Sequence, residues 1–165
     1  MRGEAPSPAL RQRGREMAEE VRRAVSEVTD PELPVATIEE LGILEDVRVD
    51  GSSVEVDLIP TFLGCPALEM IRRDVTTAAR SVPGVGRVEV RFRVEPQWTP
   101  ERITVEGRKH LAEGLTIAVR GAVGEMVCPV CGSEQVEERS PFGPTACRAV
   151  AYCDACRNPV EVIRQ

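Results

Sequence analysis

Two C-x-x-C pairs, Cys128-Pro129-Val130-Cys131 and Cys153-Asp154-Ala155-Cys156, enclose 21 residues near the end of a 165-residue chain. They constrain the fold more than any other feature, because residues 126–165 are too few to hold a structure by burial alone without a metal, disulfides or a partner. Two such knuckles can place four thiolates tetrahedrally around one ion, and the segments between them read as short strands. The expectation is an all-β zinc ribbon over 126–165 with Cys128, Cys131, Cys153 and Cys156 as ligands of a structural Zn2+; iron in the same thiolate cage is the rival occupant. Acidic residues outnumber basic ones in this segment, so it lacks the charge of a nucleic-acid-binding ribbon. It reads as a structural clip. Cys147 stands outside the two pairs. It is a strand residue packed against the ribbon, a substitute ligand, or an accessory thiol facing the same site as Cys65, and spacing does not choose among the three.

The rest of the composition bounds the function class. With 42% hydrophobic and 29% charged residues, the chain is of ordinary soluble type, and aromatics at 3% leave a core of Val, Ile, Leu and Ala. A formal net charge of −6 argues against nucleic acid or an anionic membrane as partner, since either needs a basic face to exchange for counterions. No apolar stretch follows Met1 as in a secretory leader, and none is long enough to span a bilayer. The chain reads as cytoplasmic, and a reducing compartment favours metal ligation over disulfides for its six cysteines.

Residues 1–15 are expected to be a flexible tail. From Glu16 onward Met17, Val21, Ala24, Val25 and Val28 form a helical apolar stripe that stops before Asp30-Pro31, since proline cannot continue the ladder. The Asp30 and Glu32 carboxylates either shape a turn or face a site. Thr37 and Glu40 have capping-box spacing, predicting one helical turn that ends at Gly42. A strand leads to Asp50-Gly51, a hairpin signal, and a second strand runs through Val54, Val56 and Leu58. Leu68, Ile71, Val75 and Ala78 make a helical stripe. Val88, Val90, Phe92 and Val94 then alternate with charged residues as a third strand, and a helix between two strands permits a parallel crossover. Thr99-Pro100 is set to start another helix. Trp98 covers the edge of the core, His110 lies on a polar stretch, and the Gly-rich run 114–125 reads as a linker between a domain over 16–113 and the ribbon.

Cys65 is the main functional candidate. With Pro66 expected at the first helical position, Cys65 falls at or beside the N-cap, where unpaired N–H groups and the helix dipole favour a thiolate and lower its pKa. A buried, inert cysteine is the alternative.

Asp30-Pro31-Glu32, Leu41-Gly42-Ile43, Pro60-Thr61 and Gly64-Cys65-Pro66-Ala67 resemble the domain shared by the MIP18 and SufT families, small cytoplasmic iron–sulfur assembly factors. Trp98, Glu106-Gly107-Arg108 and Leu111, followed by the C-P-x-C-G-S ribbon with Phe142-Gly143 and Thr145-Ala146-Cys147, resemble the narrower PaaD (PaaJ) family of phenylacetate catabolism. The resemblance implies an α+β fold of helix, hairpin, helix, strand and helix ahead of the ribbon. It implies Cys65 as functional thiol and transient ligand of iron or an iron–sulfur cluster, supported by Asp30, Glu32, Thr61 and Trp98. It also implies an accessory, non-enzymatic role beside the oxygenase and reductase polypeptides of ring 1,2-phenylacetyl-CoA epoxidase. The absence of an E-x-x-H pair and of G-x-G-x-x-G agrees with oxygenase and dinucleotide chemistry residing elsewhere. In that role the ribbon is a docking module; a non-catalytic structural subunit of the oxygenase complex, docked through the same ribbon, is the competing role, and a thiol enzyme the weakest, because no recognisable base accompanies Cys65. A homo-oligomer remains open.

Overall fold

A computed structural model describes residues 8–121 and 124–163. Helix α1 spans Pro8–Ser26, so its first turns occupy residues expected to be tail, while residues 1–7 lie outside the described chain. The amphipathic pattern explains the extension: once Val21 and Val25 are buried and Met17 packs against the core, upstream residues need only continue the hydrogen-bond ladder.

The Asp30-Pro31 break leads into a small hairpin of β1 (Thr29–Asp30) and β2 (Leu33–Thr37). The capping box follows as the sequence predicts. Thr37 N donates to the Glu40 carboxylate at 2.9 Å and Glu40 N to Thr37 Oγ1 at 3.1 Å, closing one turn that ends at Gly42 with φ +65°. Strands β3 (Leu44–Asp50) and β4 (Ser53–Leu58) form the expected hairpin, with Asp50 opposite Ser53. Helix α2 (Leu68–Arg80) returns the chain to β5 (Arg87–Phe92), which runs parallel to β4. The sheet order is β3-β4-β5.

Helices α1 and α2 cover one face of this sheet, where Val54, Val56, Ile71, Val75 and Ala79 are buried together. The other face carries an ionic lattice. Asp57 accepts from Arg48 at 2.9 Å and Arg93 at 3.4 Å, and Glu55 from Arg91 at 2.8 Å. The alternation of Val and charge along β4 and β5 thus describes a sheet with one apolar and one self-neutralised face.

The segment after β5 clasps the Thr37–Gly42 turn. Trp98 is buried as expected, its Nε1 donating to Leu41 O at 2.9 Å, and Arg102 Nε donates to Gly42 O at 2.8 Å. Thr99-Pro100 starts only a single 3-10 turn, Pro100–Arg102, in place of the predicted helix. Helix α3 begins later, at Val105–Leu115, with Thr104 as cap and its side chain accepting from Gly107 N at 3.0 Å. The N-terminal end of α3 crosses close to the clasped turn. His110 sits on its exposed side, 3.1 Å from Glu40.

The expected linker contributes structure as well. Residues Ile117–Ala118 form β6, which pairs in parallel with β9 (Pro159–Ile163); β7 (Val136–Ser140) and β8 (Arg148–Cys153) complete a sheet of order β6-β9-β8-β7. Ala149, Ala151, Cys153, Val160 and Val162 make the ribbon's own small core. Ile117 and Ile163 instead join the core of the first domain, so the two units share a packed seam.

Gly107 gives this packing a test. A Cβ built there lies 2.7 Å from Glu40 O, whereas one at Gly14 in α1 meets nothing within 4 Å. Alanine normally stabilises a helix interior over glycine by about 1 kcal/mol. Gly14→Ala should raise the urea midpoint, while Gly107→Ala should lower it, costing roughly 1–3 kcal/mol through overpacking. Equal shifts for both would show that α3 does not seat on the Glu40 carbonyl.

Candidate functional site

The four ribbon cysteines converge. Their sulfurs all lie within 4.8 Å of one another, with Cys128–Cys156 and Cys131–Cys153 each at 3.7 Å. Four sulfurs about 2.3 Å from a central zinc define a tetrahedron with an edge of about 3.8 Å, so the donor set fits such an ion. Each knuckle is folded by its backbone: Gly132 N donates to Cys128 O at 2.9 Å with Gly132 at φ +73°, and Arg157 N donates to Cys153 O at 2.8 Å with Arg157 at φ +61°. The left-handed residue after each pair turns the chain back so that both thiols point to one centre. Asn158 reaches the Cys156 sulfur through its side-chain amide at 3.4 Å and also through its backbone N–H, holding that thiol down at about 6.

Cys147 is not in this cluster. It precedes β8 while Cys153 ends it, and the six steps of strand from Cys147 to Cys153 span about 20 Å, which removes the substitute-ligand reading. Its residue is only 5% exposed, and the sulfur lies 3.1 Å from Thr145 Oγ1. The next residue, Arg148, ties the ribbon to the first domain. It donates to Glu161 at 2.6 Å, to Thr145 Oγ1 at 2.8 Å and to the Glu32 carbonyl at 3.5 Å, with the Glu32 carboxylate 3.9 Å away.

That contact sets the start of β8 beside the Asp30 turn. Asp30 is 6% exposed, and its Oδ1 accepts from Glu32 N at 2.7 Å and Leu33 N at 3.2 Å, so the carboxylate does shape the turn, as one reading of the sequence has it. The same group also bears electrostatically on Cys65 and Cys147. Turn chemistry and site chemistry coincide at Asp30.

Cys65 is half-buried in the loop between β4 and α2. The predicted helix start is displaced. Pro66 occupies a turn in which Leu68 N donates to Cys65 O at 3.2 Å, and α2 begins at Leu68 with Ala67 as its cap. The expected low pKa is also reversed. Burial pushes the Cys65 thiol up, the Ala67 N–H draws it down, and Cys147, Asp30 and Glu32 push it up again as neighbouring anions. Burial likewise raises Asp30 and Cys147.

Thr61 and Trp98 meet elsewhere. With Pro60, Phe62, Arg93 and Pro96 they line a cleft of about 360 Å³, in which Cys65 does not take part. Phe62 and Leu63 between them are 44% and 59% exposed.

Comparison with known proteins finds two families on separate stretches of the chain. Residues 18–90 match the iron–sulfur cluster assembly protein family and residues 114–164 the PaaD zinc beta ribbon domain. An Escherichia coli (strain K12) protein, named as a candidate component of 1,2-phenylacetyl-CoA epoxidase, is 34% identical over 155 residues, 88% of this chain and 91% of its own. The chain belongs to the PaaD family. The first domain of this PaaD protein is also similar to an Fe–S protein maturation auxiliary factor of Bacillus subtilis (strain 168), at 32% identity over 53% of this chain and 86% of the relative. A crystal structure of a DUF59 domain from Bacillus anthracis matches it with a TM-score of 0.57 and 27% identity, over 61% of this chain and 96% of that one.

Among the sequence candidates, then, Asp30, Glu32 and the Cys147-Arg148 segment meet at the seam, Cys65 lies within electrostatic range of them, and Thr61 and Trp98 form a separate cleft. Arg148 and Thr145 complete the seam and escape sequence reasoning as individual residues. Only the charge of Arg148 next to an unassigned cysteine hints at them.

Two outcomes follow from the geometry. Replacing one ribbon ligand, as in Cys153→Ser, should abolish stoichiometric metal and the protease resistance of residues 126–163, while Cys147→Ala should leave metal content unchanged; elemental analysis after gel filtration reads both. Because the Cys65 pKa is raised, its thiolate population, and so its alkylation rate by iodoacetamide, should rise only at a pH above that of an unperturbed cysteine. Asp30→Asn removes one neighbouring anion and should move that profile toward lower pH; a profile already saturated at neutral pH would contradict the charge balance described.

Proposed function

We propose that this PaaD protein is an accessory factor in the maturation of an iron centre of the phenylacetyl-CoA epoxidase system, with Cys65 as the thiol that transiently holds the iron cargo. The observation that carries the reading is a half-buried thiol within electrostatic range of the buried Asp30 carboxylate, in a domain that matches an iron–sulfur cluster assembly family. A thiol kept protonated by burial and anionic neighbours is a poor nucleophile at neutral pH, which speaks against a thiol enzyme. An arriving cation changes that balance. It supplies the positive charge that the cluster lacks, displaces the thiol proton and is held by thiolate and carboxylate together. Protonation then favours release, as a carrier requires.

The ribbon metal has a different role in this proposal. Zinc suits it, being redox-inert and content with a closed four-sulfur shell, and it keeps the C-terminal unit folded. The client is assigned through the E. coli relative, whose name places it in the epoxidase system, and the oxygenase and reductase polypeptides are the corresponding partners. Exposed Phe62 and Leu63, on the same loop as Cys65, offer apolar contact for such a partner. Free thiols throughout suit a reducing cytoplasm. Among the described residues no helix is long and apolar enough to cross a membrane.

Cys65→Ser tests the reading. Serine nearly preserves volume but supplies no soft ligand for iron, so the variant should fold, keep its ribbon metal and still bind its partner. It should fail to restore ring epoxidation in cells lacking the native protein. Full complementation by Cys65→Ser would instead favour a structural role within the oxygenase complex.

A further inference from the structure

The sheet of the first domain ends at β5, and among the described residues no strand pairs with its outer side. Arg93 N donates back to Leu58 O on β4 at 2.7 Å. Residues two apart share a side of a strand, so Glu89 and Arg91 also face β4, whereas Val88, Val90 and Phe92 turn their backbone N–H and C=O groups outward. Arg72 agrees with that direction, reaching from α2 to donate to Val90 O at 2.5 Å. Its guanidinium also lies over the Phe92 ring, 4.8 Å from the centroid. A cation thus plugs the middle of the edge, a device that keeps a bare strand from pairing along its whole length. The Phe92 groups stay open.

Directly after Phe92 the chain enters the cleft walled by Phe62, Leu63, Val94 and Trp98. Its rim is apolar and exposed, Val94 by 60%. Trp98 is fixed through its bond to Leu41 O, so this wall is set before anything arrives. The one charge in the lining is Arg93. It gives a donor to Asp57 Oδ2 at 3.4 Å, an oxygen that Arg48 already holds at 2.9 Å, and its side chain is half exposed. Most of a five-donor fork is left for a carboxylate.

We infer that the free edge of β5 and the adjoining cleft are the docking site for a short extended segment of the client protein, paired to the Phe92 backbone, with one apolar side chain in the cleft and an acidic residue on Arg93. The inference rests on the proposed accessory role and adds where the client is met. The shape of the occupant follows from the edge, since an extended backbone is what matches outward N–H and C=O groups. Its side chains follow from the cleft: apolar walls bury an apolar group, and a cation with unspent donors selects a carboxylate. A contact made of a few main-chain bonds and a single anchor is small, which suits a factor that must let its client go.

The test uses the full chain, zinc-replete, with the purified oxygenase and reductase polypeptides. Amide hydrogen exchange at Phe92 should slow when they are added. Leu63→Asp and Val94→Asp should each weaken binding by roughly 10-fold or more, the scale of an interface anchor, while Val105→Asp, at an exposed apolar position on α3, should not. Val94→Lys should cost less than Val94→Asp, because only the added carboxylate repels the acidic residue. Unchanged Phe92 exchange in the complex, wild-type affinity in both aspartate variants, or the reverse order of the two Val94 variants overturns the inference and leaves the role of Cys65 to its own complementation test. Slowed Phe92 exchange in the chain alone, growing with its concentration, puts a second copy on the edge and likewise overturns it. Wild type that binds neither set of polypeptides overturns both the docking site and the proposed role.

Discussion

The arrangement of the molecule depends on the Arg148 guanidinium. Its side chain is only 11% exposed, and its donors are distributed over Glu161 on the ribbon, Thr145 in the preceding loop and the Glu32 carbonyl of the first domain. A planar fork with five donors can satisfy three directions at once, which a lysine ammonium on a flexible stem does less well. Ile117 and Ile163 enter the core of the first domain beside it, and that apolar contact supplies cohesion without fixing direction. Arg148 supplies the direction. It sets which end of β8 faces the Asp30 turn, and hence that Cys147, not the metal knuckles, meets the first domain.

Electrostatics at that seam reverses what the order of residues along the chain suggests. A helix N-terminus is worth typically about 0.3–1 kcal/mol to an adjacent anion, less than the roughly 1.4 kcal/mol behind a single pKa unit. Cys65 stands before a turn and not at the cap itself, so it receives less than that. Burial, and after it the neighbouring acidic groups Cys147, Asp30 and Glu32, act in the opposite sense and prevail. Asp30, Cys65 and Cys147 are all pushed toward their protonated forms, the behaviour of groups gathered with too little positive charge. Arg148 balances part of the set, and its bonds to Glu161 and Glu32 commit much of that charge elsewhere.

What is legible in the sequence is what short-range physics decides. The C-x-x-C pairs, the Asp50-Gly51 hairpin, the Thr37/Glu40 capping box and the stripes of α2 and β5 each carry a fixed spacing with its own mechanism, and each is present, though α2 starts two residues late at Leu68 and β5 ends at Phe92, leaving Val94 outside it and exposed. The departures are tertiary. Strand β6 has two residues in a Gly-rich run and exists because β9 offers it an edge. Helix α3 starts at Thr104 and not at Thr99 because Thr104 N donates to Glu40 O at 2.9 Å and Trp98 and Arg102 are tied to the same turn. The Cys65 pKa departs from its expected direction for a related reason: a local cap is visible in a sequence, whereas two carboxylates and a thiol arriving from distant parts of the chain are not. Cys147 is legible as an odd cysteine, and only its place before β8 sets it apart from the ribbon ligands.

The chain therefore uses sulfur in two opposite ways, and the difference lies in how complete each set of donors is. The ribbon gathers four thiols within 4.8 Å, enough to enclose an ion, exclude other ligands and let the bound metal hold a segment too small to fold alone. Cys65 stands in no such closed set of donors among the described residues, which suits a thiol whose guest must leave. Strand β8 joins the closed site to the first domain. Its last residue, Cys153, is fixed by the closed site, and its first, Arg148, by the first domain. A strand locked at both ends carries rigidity over its length, about 17 Å for six residues at roughly 3.3 Å each less one step, so the ribbon metal bears on Cys147 by holding β8 straight and in register.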